Sequence, residues 1–154
     1  MNRDAKTLQD RPKGLLASML LLLVIQFALG IYTNLFVTLS KMGPFMGLGG
    51  FMGMGGSMGI GEMLIRGRFV PLFMVHMMLG MLVALMALII ALVSLVRGGS
   101  RFVILAWTSL LAVLAAGYSG LRFVMYGQHN GDSFVMAIGW MIAFSAYFMA
   151  VKGQ

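Results

Sequence analysis

Cysteine is missing from the chain, and acidic residues nearly so: Asp and Glu together number four in 154 positions. The first absence excludes disulfides, thiolate metal sites and cysteine nucleophiles, and leaves the redox compartment unread. The second leaves no carboxylate dyad for acid–base work, and no buried charge series of the kind an ion pump carries through its spans. A nucleophile with a paired base and a His-Glu-x-x-His motif are lacking too. No Gly-Lys-Ser/Thr follows the glycine-rich stretch, so it is not a phosphate loop. Only 10% of residues are charged, 60% are hydrophobic, and the mean hydropathy is +0.96. A soluble globular domain is about half apolar and about a quarter charged. The chain therefore reads as an integral membrane protein with a single domain, residues 1–154, and not as a soluble enzyme.

Crossing a bilayer core takes about 20 apolar residues of helix. Four runs reach or approach that length: about Leu15 to Thr38, Phe69 to Val96, Phe102 to Val124 and Ser133 to Val151. Unpaired backbone groups are too costly in lipid for any run to be irregular, and none alternates with the period of two of a barrel strand. The basic start (Arg3, Lys6, Arg11, Lys13) resembles a secretory signal, but the apolar run behind it is too long and lacks a sharp cleavage site, so a retained first helix is expected.

Lys and Arg number eleven, for a net charge of +7. They lie at the ends of apolar runs, which accounts for the excess without nucleic acid. With the N-terminus inside, Arg3, Lys6, Arg11, Lys13, Arg97, Arg101 and Lys152 are internal, against Lys41, Arg66, Arg68 and Arg122 outside. The bias predicts cytoplasmic termini in the inner (cytoplasmic) membrane. The short links Arg97–Arg101 and Gly127–Asp132 make consecutive helices antiparallel neighbours, so the expected fold is an all-α, up-down four-helix bundle.

Small residues and scattered polar groups bring helices together in lipid. Gln26, Gly30 and Asn34 recur every four residues on the first span. Gly80, Ala84, Ala87 and Ala91 mark the second, Ala112, Ala116, Gly117 and Gly120 the third, and Gly139 and Ala143 the fourth. These are read as packing faces.

The long connection, residues 39–68, is rich in glycine and methionine. Residues Lys41 through Gly67 include ten glycines and six methionines. Thioethers are soft ligands, so Met52, Met54 and Met58 form a candidate Cu(I) site. The favoured alternative is that methionine serves as pliable apolar filler, because eleven more occur elsewhere in the chain. A loop this apolar is expected to cover the outer end of the bundle or to pack on a partner.

His76 is the clear intramembrane ionisable residue, about 10 Å along the helix from Phe69 at the standard rise. At that depth an imidazole can bond a neighbouring helix, ligate haem iron or relay a proton. His129, in the outer link, is on the same side and is a candidate second haem ligand. Arg122 stands at the level of haem propionates. Haem b is the cofactor these residues would suit, with copper the less favoured.

VIQFALGIYTNLFVT and GYSGLRFVMYGQHNGDSFVMAIGWMIAFSAY, with FMVHMMLG between them, resemble a family of small prokaryotic membrane proteins with four helices. That fold is similar to one half of heme A synthase, in which histidines of the second and fourth helices hold haem near the outer face. The resemblance puts His76 in the place of the second-helix histidine and His129 roughly in that of the fourth, ahead of the helix. Phe73 replaces an acidic residue tied to oxidation, which counts against synthase activity. Apart from the resemblance, the small size, the absence of a catalytic constellation and the apolar glycine-rich outer loop give the expectation of a non-catalytic accessory subunit of a respiratory or metal-containing oxidase or oxygenase complex. A small b-type cytochrome active in electron transport, or a heme-A-synthase-like haem protein, is the alternative, and a copper-handling protein the third.

Overall fold

The computed structural model describes residues 3–36, 70–97, 99–126 and 129–153. They form four helices: α1 (Arg3–Phe36), α2 (Val70–Arg97), α3 (Ser100–Tyr126) and α4 (Asn130–Lys152). Each contains a stretch long and apolar enough to cross a bilayer, and large apolar side chains such as Leu21, Leu85, Leu111 and Phe134 face outward from all four. The protein is thus a multi-pass membrane protein with lipid-facing helices. The apolar segment of α1 begins at Lys13, but the helix itself starts at Arg3. The preceding Ala, Lys, Leu and Gln are good helix formers, so the helix need not stop where its apolar part does.

Cross-helix pairs define the topology. Gly30 of α1 meets His76 of α2, while Gln26 meets Gly80. Trp140 Nε1 of α4 donates to the Leu23 carbonyl of α1 at 2.7 Å, and Ser133 Oγ donates to Asn34 Oδ1 at 3.3 Å. Gly139 of α4 meets Ala112 and Ala116 of α3, and Gly120 meets Met136. In every pair the residue numbers rise on one helix as they fall on the other, so these neighbours are antiparallel. α1 packs on α2, α2 on α3, α3 on α4 and α4 on α1, which closes an up-down bundle.

The bundle has two unlike halves. Toward the termini it is filled: Leu16, Met19, Ala87, Ile90, Ala91, Ala106, Leu110, Ala143, Tyr147 and Ala150 are fully or nearly fully buried. Alanine dominates because, without a hydrophobic drive between helices in lipid, close backbone approach supplies the attraction. Hydroxyls in the spans bond to their own helices: Ser109 Oγ to Leu105 O at 2.8 Å, Ser94 Oγ to Ala91 O at 2.6 Å and Thr33 Oγ1 to Leu29 O at 2.8 Å. Toward the other end, where α1 leads into the long connection, the helices stand apart around a cavity.

Candidate functional site

The cavity measures about 560 Å3 and is walled by all four helices. That is within the range of about 300–1,000 Å3 typical of ligand pockets. Its lining is overwhelmingly apolar. Polar groups enter chiefly from α1, through Gln26 and Asn34, and from α2, through His76.

Two notches position Gln26 and His76. A Cβ on Gly30 would lie 3.1 Å from His76 Cε1, and one on Gly80 would lie 3.0 Å from Gln26 Nε2. Each glycine therefore makes room for the long polar side chain of the opposite helix. Within each helix the polar residue and the glycine are four positions apart, so they share a face. The result is a reciprocal clasp between α1 and α2. The His76 imidazole lies against the Gln26 backbone. His76 Nδ1 and Gln26 Oε1 are both buried and have no partner. Buried polar atoms are rarely left so, and each such atom calls for a physical account.

Phe27 and Trp140 add an aromatic part to the wall. Trp140 stacks on Phe27, with ring centroids 4.2 Å apart and planes at 21°. Its indole N–H is held by Leu23 O. The stack continues down α4 through Phe144, at 5.1 Å, and Phe148, at 6.4 Å, and ends under Lys152 Nζ at 4.6 Å from the Phe148 ring. At α3 the wall includes Gly117, where an added Cβ would meet nothing within 4 Å. Gly117 is thus not a packing glycine, unlike Gly139, where a Cβ would come 2.7 Å from the Ala112 carbonyl.

The candidate residues read from the sequence are distributed unevenly around this cavity. His76 lines it. His129 does not: its side chain is exposed, and the residue is the N-cap of α4, its carbonyl accepting from Asp132 N at 3.1 Å and Ser133 N at 3.3 Å. Arg122 is not in the lining either, and its Nε lies 3.5 Å from Asp132 Oδ1. Asp132 is in the first turn of α4, where a carboxylate also suits the helix dipole. Met52, Met54 and Met58, with the rest of the long connection, lie outside the described residues. Among the described residues no group of three or more His, Cys, Asp or Glu is arranged to hold a metal ion.

For haem the fit is partial: the cavity supplies an apolar sleeve and one imidazole, and the thioethers of Met77, Met81 and Met136 also line it. The sequence reading missed Trp140 and the two glycine notches as parts of the site. The repeated pattern of a polar residue followed four positions later by glycine, Gln26/Gly30 and His76/Gly80, was the signal for the notches. No protein family, no curated protein and no solved structure matches the chain.

Proposed function

We propose that the protein is a non-catalytic accessory subunit of a larger membrane complex of the respiratory or oxidase/oxygenase type, in the cytoplasmic membrane with its termini inside. The observation that carries this reading is the clasp. The intramembrane imidazole and its amide neighbour are fitted into glycine notches and fasten α1 to α2, which is a structural use of the polar groups most able to do chemistry. The broad apolar surface on every helix offers faces for partner helices as well as for lipid. The test is isolation from native membranes in mild detergent, with identification of co-purifying chains. Stoichiometric partner subunits are expected. Recovery as a monodisperse monomer alone would reject the assignment.

A second reading has its own support in the unpartnered Nδ1 of His76 beside a cavity of ligand size. In it the chain is a small b-type haem protein, with His76 as an axial ligand. Bound haem would supply electron transfer. His76 would hold it, and the apolar wall would keep water away. Protein from a haem-sufficient host should then show a Soret band that His76→Ala removes. A colourless preparation would rule this out.

A further inference from the structure

The cavity has the depth of one membrane leaflet. On α1, α2 and α3 its lining runs over residues 23–34, 73–84 and 113–124. The apolar spans of those helices are Lys13–Phe36, Leu72–Val96 and Ser100–Tyr126. On each helix the cavity therefore begins one or two residues from a span's end and stops beside its midpoint. At the standard rise that is about 16 Å, against about 15 Å for half of a bilayer core.

The way in is lateral. Three seams of this half are fastened: α1–α2 by the clasp, α1–α4 by Trp140 and Ser133, and α3–α4 by Gly139 and Gly120. At the fourth, Met81 of α2 and Leu114 and Tyr118 of α3 line the cavity and yet are 54%, 51% and 65% exposed. Beside them is Gly117, the glycine with open space where a Cβ would stand. This opening lies at hydrocarbon depth, so what meets it is lipid. An apolar hollow gains nothing from water, and left empty it forfeits dispersion contacts along its walls.

Size selects the occupant. Spread over about 16 Å, a volume of about 560 Å3 has a mean cross-section of about 35 Å2. A helix about 10 Å across needs about 80 Å2, so neither a partner's helix nor one from a second copy fits. A methylene chain is far thinner and asks for no hydrogen bond. None is offered: Gln26 Oε1 and His76 Nδ1 are sealed from the cavity. We infer that the cavity seats one acyl chain of a phospholipid from the adjoining leaflet, threaded between α2 and α3 and retained as part of the fold. This goes beyond the subunit assignment and is independent of it, because it is tested on the purified chain.

The first measurement is native mass spectrometry of the unaltered chain, purified in mild detergent and stripped of loosely held lipid. One phospholipid per chain is expected to remain. The second uses vesicles of phosphatidylcholine brominated near the chain ends. Trp107→Phe leaves Trp140 as the single tryptophan, and Trp140 lines the cavity near the middle of the α4 span. Its fluorescence should be quenched. Gly117→Leu, added to that background, should cut the quenching at least twofold and release the retained lipid. Ala115→Leu adds similar bulk at an exposed position outside the lining and should change neither. An unaltered chain that keeps no lipid overturns the proposal, and this count needs no variant, so it stands if Gly117→Leu fails to fold. Retention and quenching that a folded Gly117→Leu leaves intact overturn it as well. So does haem, or a bound polypeptide, that Gly117→Leu displaces in place of lipid. Loss of partner subunits on purification would count against the accessory role without touching this result.

Discussion

The two halves of this bundle are built from the same kinds of residue but packed to opposite ends. Near the termini, alanines let α2, α3 and α4 approach until side chains such as Tyr147 and Ile90 are sealed. Near the long connection, where α1, α2 and α4 carry the larger Gln26, His76, Phe73 and Trp140, the four helices part around a cavity of about 560 Å3. The difference shows that helix separation in lipid follows the size of the residues at each crossing, with apolarity common to both ends. It also shows that glycine does three different jobs here. Gly139 permits backbone contact, Gly30 and Gly80 admit a polar side chain, and Gly117 leaves space open.

Substitutions can break that contrast. The largest effect is expected for Gly139→Leu, because its Cβ would collide with the Ala112 backbone carbonyl at 2.7 Å. A helix cannot yield there as a side chain can, so destabilisation of about 3 kcal/mol or more is expected, read from thermal unfolding in detergent. Gly30→Ala comes next, at about 1–2 kcal/mol, since the His76 ring at 3.1 Å must shift. Combining it with His76→Ala should restore much of that loss, and strict additivity of the two changes would show that the clasp is not a unit. Trp140→Phe keeps the stack and loses the bond to Leu23 O, for about 0.5–1.5 kcal/mol. Gly117→Ala should have the smallest effect and the opposite sign. With nothing within 4 Å of the new methyl, it gains up to about 1 kcal/mol of helix propensity. A fall in melting temperature there would contradict the open wall.

Much of the architecture was legible in the residues. The four apolar runs mark the spans, and the stripe Ala112, Ala116, Gly120 faces Gly139 and Met136 in the bundle as small-residue spacing implies. The start of α1 was not legible, because Arg3 to Lys13 is polar enough to leave the membrane yet suited to helix. In the site, His76 stood out as the imidazole at lipid depth. What it touches did not, because contact depends on a glycine 46 positions earlier, and spacing within one helix does not name the partner on another. His129 shares a membrane side with His76 by sequence, but the direction of a side chain at a helix start is set by cap geometry, and here the backbone does the capping. Trp140 looks like ordinary apolar filling until its N–H is traced to Leu23.

The reciprocity of the two notches works as a key against sliding. If α2 slipped one turn along α1 in one direction, the Gln26 amide and the His76 ring would fall opposite each other, bulk against bulk. A slip of one turn the other way would set Gly30 against Gly80 and open a void. Both neighbouring alignments are therefore penalised, one by collision and one by emptiness, so four residues suffice to select a single alignment of the first two spans.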